Sequence, residues 1–206
     1  MTAVLLVAAG YLLGSMPWGY WLVGLLKHED IRRHGSGNIG VTNVWRVYGW
    51  PLGLSVVLLD TAKGFAPAFV ATLAVSHLAG VLAGAAAMLG HWRPLFLRWR
   101  RGGKVVATCG GAFLGVAPVV GGIGAALWIA TFLVFRYASL ASIVAALSLP
   151  LMAVLLGEPW PVIVFAAGAA VAVILLHRAN IGRLRAGTEN RFRFRRPASA
   201  RHPNPT

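Results

Sequence analysis

The chain has 206 residues, of which 58% are hydrophobic and 12% charged, with a mean hydropathy of +0.72. Soluble domains carry about a quarter charged residues, so the composition excludes an ordinary water-soluble domain and indicates an integral membrane protein. Nineteen Lys and Arg stand against five Asp and Glu, a net charge of +14, and in a membrane chain that excess speaks first of orientation, not of nucleic acid.

A membrane-spanning helix needs about 20 apolar residues, down to ~17 in compact bundles. In chain order seven runs fit this, at residues 2–26, 52–72, 74–92, 105–118, 119–135, 140–157 and 160–177. The fourth is short, and Pro118 with Gly121 and Gly122 leaves its junction with the fifth open by several residues. The first has no basic stretch before it and continues through Tyr20, Trp21 and Leu22 without a cleavage-like site, which reads as a span and not as a signal peptide. The basic residues give an independent check. Eighteen of the nineteen cations lie in residues 27–46, 93–104, at Arg136 and in residues 178–201, all on one side when there are seven spans. The positive-inside rule makes that side cytoplasmic and puts the N-terminus outside. The expected fold is therefore an all-α polytopic membrane protein, with a single domain over residues 1–195 and a flexible tail over 196–206; the cations of the Arg-rich stretch beyond Asn180 suit an anionic leaflet. No internal repeat is visible.

Four segments at the cytoplasmic span ends carry polar chemistry. Gly35-Ser36-Gly37-Asn38-Ile39-Gly40 satisfies G-x-G-x-x-G, with Asp60 about twenty residues on, but a dinucleotide fingerprint needs a preceding strand and a soluble βαβ unit, and here a membrane span follows. What remains is a glycine loop able to approach a phosphate closely, with Ser36, Asn38, Thr42, Asn43 and Arg46 as donors. Its structural alternative is a Gly/Asn turn among juxtamembrane cations. The second segment runs from Gly90-His91-Trp92-Arg93-Pro94 to Arg100-Arg101-Gly102-Gly103-Lys104, followed by Thr108. Gly-Gly-Lys at a helix start offers exposed N–H groups, the positive end of the helix dipole and a mobile ammonium, which is an anion site. Arg98, Arg100 and Arg101 suffice as orientation signals. The third holds Arg136, Tyr137, Ser139 and Ser142. The fourth holds His177 and Asn180, three residues apart and so on one helix face. Asp60 and Lys63, at i and i+3 inside the second span, most simply form a buried ion pair.

Several catalytic patterns are missing. No His is followed five positions later by Asp, there is neither G-x-S-x-G nor H-E-x-x-H, and the single Cys109 excludes an internal disulfide or a Cys-rich zinc site. Of the five acidic residues, Glu29, Asp30 and Glu189 fall in cytoplasmic segments, so no metal centre and no carboxylate base is expected. The residues present bind anions and donate hydrogen bonds, which suits a phosphorylated substrate.

These segments, in this order, resemble the bacterial membrane family of acyl-phosphate:glycerol-3-phosphate acyltransferases. The resemblance covers nearly the whole chain: Leu13-Gly14-Ser15-Met16-Pro17, Gly35-Ser36-Gly37-Asn38 through Thr42-Asn43 and Arg46, Leu59-Asp60 with Lys63-Gly64, Gly90-His91, Pro94, Phe96-Leu97, Gly102-Gly103-Lys104 with Ala107-Thr108, Arg136-Tyr137, Ser139 to Ile143, His177-Arg178, Asn180-Ile181, Arg183-Leu184, and Gly187-Thr188-Glu189-Asn190. It implies transfer of a fatty acyl group from long-chain acyl phosphate to the sn-1 hydroxyl of glycerol-3-phosphate at the bacterial inner membrane, giving lysophosphatidic acid and phosphate, the first acylation of phospholipid synthesis. It implies no cofactor and no nucleic-acid partner; the partners it implies are membrane lipid and the enzyme that supplies acyl phosphate. Carried over by position, the catalytic set is Ser36, Arg46, Lys104, His177 and Asn180. The substrate contacts are Gly35, Gly37, Asn38, Thr42, Asn43, His91, Gly102, Gly103, Thr108, Ser139 and Ser142. The phosphate of glycerol-3-phosphate would take the hydroxyl proton itself. The chain departs from the family pattern at Ile39 (usually Pro), Val41 (usually Ala), Val105 (usually Gly) and Ala179 (usually Glu), where the missing carboxylate would either loosen the end of the last span or be compensated by Glu189. A small transporter of phosphorylated solutes is the alternative; transporters usually show repeated halves with broken helices at the midplane, and neither appears in this sequence. A third reading, a membrane anchor with a nucleic-acid-binding tail, is separated by truncation after about Gly187, which should spare acyl transfer if the tail only grips the leaflet.

Overall fold

The structure, a computed structural model, describes residues 1–192, and every regular element among them is helical. The expected tail at 196–206 lies outside the described residues. The first apolar run is two helices, α1 (Thr2–Gly14) and α2 (Trp18–Lys27). The break between them falls at Pro17, which has no N–H to continue the ladder. After a loop, α3 (Val41–Tyr48) leads into α4 (Trp50–Ala74), followed by α5 (His77–Trp92), α6 (Val106–Val116), α7 (Pro118–Phe135), α8 (Ala138–Leu155), α9 (Trp160–Leu176) and α10 (Arg178–Arg185).

Four stretches are long and apolar enough to cross a bilayer, namely Thr2–Lys27, α4, α7 and α8, and the pair α9–α10, bent by 61°, makes a fifth. The other two expected runs are helices too, but short. α5 has 16 residues and α6 has 11, so at 1.5 Å per residue they reach about 24 and 16 Å, less than the ~30 Å hydrocarbon layer. The shortness of α6 has a local cause. Gly102 N–H donates to Trp92 O at 2.9 Å and Gly103 N–H to His91 O at 3.1 Å, so the chain is tied back to the last turn of α5 and cannot begin a helix before Val106. The junction left open by the sequence is a single residue, Ala117, after which Pro118 starts α7 at a position where its missing N–H is harmless.

Close packing in a bilayer relies on small residues, because lipid tails are as apolar as the helices. On α6, Gly111 and Gly115 lie against α4. A Cβ at Gly111 would collide with Thr61 O, and one at Gly115 would sit 2.8 Å from Phe69 N. From the other side, a Cβ at Gly64 would collide with Thr108 O. Gly14 of α1 meets Ala87 of α5 in the same way. Behind this seam Phe113 stacks on Phe165 with ring centroids 4.8 Å apart, among Val116, Val120, Val162 and Val173. Leu58, Leu133, Leu155 and Leu175 point outward, as a lipid-facing surface requires.

The expected ion pair is present inside α4. Lys63 Nζ lies 2.8 Å from Asp60 Oδ1, both side chains 3% exposed, and it donates to Met16 O at 2.7 Å. That last bond fixes the α1–α2 break to α4. Removing one partner strands the other charge, so Lys63→Met should lower stability by about 3–5 kcal/mol. Adding Asp60→Asn should restore most of it. Thermal unfolding of the purified variants in detergent checks both outcomes, and equal stability of Lys63→Met and the parent would refute the pairing.

Candidate active site

The glycine loop, the α5–α6 connection and the ends of α8 and α9 enclose a cavity of about 410 Å³. Its mouth carries Ser36, Asn38, Thr42, Arg46, Lys104, His177, Asn180, Arg183 and Glu189, and its inner part is lined by Ala107, Gly110, Leu114, Gly124, Trp128 and Leu149. One end is polar and cationic and the other is hydrocarbon.

The glycine loop is shaped by one buried amide. Asn43, on α3, donates from Nδ2 to His34 O at 3.0 Å and Asn38 O at 2.9 Å, and its Oδ1 accepts the Ser36 N–H at 2.9 Å. With these three bonds made, Asn43 acts as a clasp holding the loop, although it reaches the cavity wall. Gly35 and Gly37 have φ of +59° and +69°, a region where a side chain is disfavoured, and a Cβ at Gly35 would collide with the Asn43 amide. Neither glycine lines the cavity; they bend the chain so that Ser36 and Asn38 do. Asn38 Oδ1 in turn accepts the Gly40 N–H at 2.7 Å.

Across the mouth lies the second cluster. Lys104 Nζ donates to Asn180 Oδ1, and Asn180 Nδ2 donates to Glu189 Oε1 at 2.7 Å. Ser139 Oγ donates to the same carboxylate oxygen at 2.8 Å, and Arg183 Nε donates to Oε2 at 2.7 Å. Ser142 Oγ accepts from Trp128 Nε1 at 3.1 Å and donates to Ala138 O. His177 sits at the bend between α9 and α10, with Nδ1 2.8 Å from Val173 O. A carbonyl only accepts, so Nδ1 carries a hydrogen and Nε2 is the acceptor nitrogen of the neutral ring.

The charges are tuned by burial. Burial pulls the Lys104 ammonium down to about 8; Glu189 opposes this, while Arg183, Arg101 and Arg46 reinforce it. Arg46 is likewise lowered by burial, against the pull of Glu189. Burial pushes the Glu189 carboxyl up, but hydrogen bonds from Asn180, Ser139 and Arg183 and the charge of Arg183 outweigh it and hold it below the usual range. Glu189 is therefore ionised at neutral pH and serves as counter-charge to Arg183. Among the described residues lining the cavity, Arg46, Lys104 and Arg183 stand against the carboxylates of Glu189 and Asp60, and Asp60 is already paired with Lys63, leaving a positive surplus suited to phosphate.

The structure brings Ser36, Arg46, Lys104, His177 and Asn180 to one mouth, with Asn38, Thr42, Asn43, Ser139, Ser142 and His91 also on the wall. Gly102, Gly103 and Thr108 are not on it. The expectation that Gly102 and Gly103 offer free N–H groups is corrected, because both donate to carbonyls of α5. Gly103 instead makes room for the buried His91 ring, which a Cβ there would strike. Thr108 is buried between α6 and α4, with its hydroxyl unpaired among the described residues. Val105, the departure beside Lys104, has φ +62° and ψ 0° and is buried. A β-branched residue there is strained by roughly 1–3 kcal/mol. Its carbonyl accepts the Cys109 N–H at 2.7 Å, which helps hold that conformation and so the direction in which Lys104 leaves α6.

Sequence reasoning gave no role to Trp128, named Arg183 only as part of the family run, and named Glu189 only as an acidic residue near the site able to compensate for Ala179. Glu189 was the sole acidic residue of its segment and stood within the Gly187–Asn190 run, which was the available signal. The chain after α10 folds back beneath the bundle. Phe192 N–H donates to Arg136 O at 2.7 Å, and the Phe192 ring meets Phe132 and Trp45 edge-on. Truncation after Gly187 would thus remove part of the site, contrary to the expectation of a dispensable tail.

Fold and cavity define the class as a helical membrane protein with a continuous cavity that is cationic at its mouth and apolar within. Residues 4–187 match the family described as glycerol-3-phosphate acyltransferase. The chain is 43% identical to the glycerol-3-phosphate acyltransferase of Desulforudis audaxviator over 95% of its own length and 98% of that protein's. It is 46% identical to that of Parasynechococcus marenigrum over 92% and 89%. Its fold is similar to crystal structures of PlsY (YgiH), an integral membrane glycerol 3-phosphate acyltransferase. The glycerol 3-phosphate form has TM-score 0.88 at 40% identity, covering 93% of this chain and 96% of that one. The lysophosphatidic acid form has TM-score 0.87 at 38% identity, covering 94% and 97%. The chain belongs to the glycerol-3-phosphate acyltransferase family and is an acyltransferase.

A lysine lowered to about 8 loses its charge as pH rises through that value. The profile of kcat/KM, which reports the free enzyme, should fall above about pH 8, and Lys104→Arg should move that limb to higher pH. A limb unmoved by the substitution would assign it to another group. Truncation after Arg195 should leave activity near that of the parent. Truncation after Gly187 should lower it tenfold or more, because it removes a carboxylate whose hydrogen bonds are worth roughly 1.5–3 kcal/mol each. Initial rates and size-exclusion profiles of the two truncations decide between site and tail.

Proposed function

We propose that the enzyme transfers a fatty acyl group from acyl phosphate to the sn-1 hydroxyl of glycerol-3-phosphate. The products are lysophosphatidic acid and inorganic phosphate, and the reaction is the first acylation of phospholipid synthesis. The observation that carries the reading is the continuity of the cationic mouth with the apolar inner cavity. A phosphorylated head held at the first keeps a hydrocarbon chain in the second.

In the proposed step the glycerol hydroxyl oxygen attacks the acyl carbonyl carbon. The new ester C–O bond forms as the bond from that carbon to the phosphate oxygen breaks, and inorganic phosphate leaves. The hydroxyl proton passes to a phosphate oxygen of glycerol-3-phosphate. Glu189 is a poor candidate for that proton, because its lone pairs are directed to Ser139, Asn180 and Arg183. Lys104 and Arg46 neutralise phosphate, Ser36 and Asn38 donate from the loop and Thr42 from the first turn of α3, and His177 with Asn180 orients the glycerol part. Held together in a site largely shielded from water, the two anionic reactants gain from proximity and from preorganised charge. A seven-span arrangement, with the mouth on the cytoplasmic face of the bacterial inner membrane, follows from the distribution of cations. The enzyme that supplies acyl phosphate is then a partner reached from the same side.

Purified protein in lipid should release phosphate from palmitoyl phosphate only when glycerol-3-phosphate is added. Release without it, or none with it, would overturn the reading. Lys104→Ala should lower kcat/KM by about a hundredfold or more, the usual cost of removing one charge-stabilising donor, and turnover equal to the parent would contradict the phosphate role.

A further inference from the structure

We infer that Gly110 fixes how long an acyl chain the cavity accepts. The inference rests on the acyl-transfer reading and adds to it the residue that limits the donor. Gly110 and Gly111 are neighbours on α6 with opposite surroundings. At Gly111 a Cβ would strike Thr61 O, so helix packing requires the glycine. At Gly110 a Cβ would meet nothing within 4 Å. The backbone there is ordinary helix, where glycine is less favourable than alanine. Neither packing nor conformation demands a glycine at this position.

The open space beside Gly110 is the cavity. Gly110 lines its apolar part together with Ala107 and Leu114, three residues before and four after on the same helix face. It lies four residues along α6 from Val106, about 6 Å into the apolar part, between the Lys104 mouth and the Leu114 end. Across from it, α7 contributes Gly124, where a Cβ would come within 3.0 Å of a Leu149 methyl. Four other helical glycines have equally open surroundings, Gly24, Gly122, Gly168 and Gly182, and none of them lines the cavity. A side chain at 110 would occupy the path of a long chain without touching the mouth or displacing a protein atom at its Cβ.

The test compares palmitoyl phosphate with butyryl phosphate as donors for the parent enzyme and for Gly110→Ala, Gly110→Phe and Gly168→Phe. The ratio of kcat/KM values, palmitoyl over butyryl, should fall by about tenfold or more in Gly110→Phe, on the scale of discrimination a hydrophobic pocket achieves. Gly110→Ala should lower it in the same direction by less, with thermal stability at or above the parent's, so the comparison survives a Phe variant that fails to fold. Gly168→Phe, which faces away from the cavity, should leave the ratio unchanged. Equal loss with both donors in the Gly110 variants, or an unchanged ratio, would overturn the inference while a parent active on both donors still stood as an acyltransferase of this type. A parent inactive on both would overturn the acyl-phosphate reading and this inference with it.

Discussion

The site depends on how Lys104 is held. Its ammonium is tethered by the neutral amide of Asn180, and the carboxylate of Glu189 stands one hydrogen bond further back, shared with Ser139 and Arg183. A direct Lys–Glu contact would position the lysine but cancel the charge a phosphate needs. An amide positions it and leaves the charge. The price is a half-buried ammonium lowered to about 8, which a bound phosphate would raise again, since an opposite charge at short range favours the charged form.

That relay needs α6, α8 and the α9–α10 bend to meet within a few ångströms, and glycine packing makes this possible. Gly64, Gly111 and Gly115 bring α4 and α6 into backbone contact, while the tie of Gly102 and Gly103 to the end of α5 fixes where α6 begins. Lys104 therefore emerges from a rigid corner and not from a loop. The strained Val105 belongs to the same corner. It is tolerated because burial and the Val105 O to Cys109 N–H bond over-determine its conformation.

Much of the fold was legible because hydropathy and proline position are local properties. The runs at 119–135 and 160–177 agree with α7 and α9 to within one residue. The Asp60–Lys63 pair followed from helical spacing alone. The eight-residue α3 and the bend at His177 were not legible, since neither is apolar enough to stand out from its loop. At the site, residue type and span-end position brought the cations and His177 together. The roles of Gly102, Gly103 and Asn43 required knowing which carbonyls and amides they face. Those partners lie five to twelve residues away along a chain path that sequence does not fix. Glu189 was legible as an acidic residue near the site, but its bonds to Ser139, Asn180 and Arg183 were not, because only the return of residues 188–192 beneath α8, pinned by Phe192, carries it to the mouth.

The amides of the two glycine segments are mostly engaged inside the protein, since Ser36, Gly37, Gly40, Gly102 and Gly103 all donate to protein oxygens. Anion binding then falls to side chains, whose charge responds to what is bound. On the acyl-phosphate reading the mouth holds two phosphate groups before reaction and one lipid phosphate after inorganic phosphate departs. Ala125 and Ile129 line the apolar part while remaining exposed on the outer surface of α7. On the same reading, the acyl chain of a lipid product would have an open side along α7 toward lipid that does not pass the polar mouth.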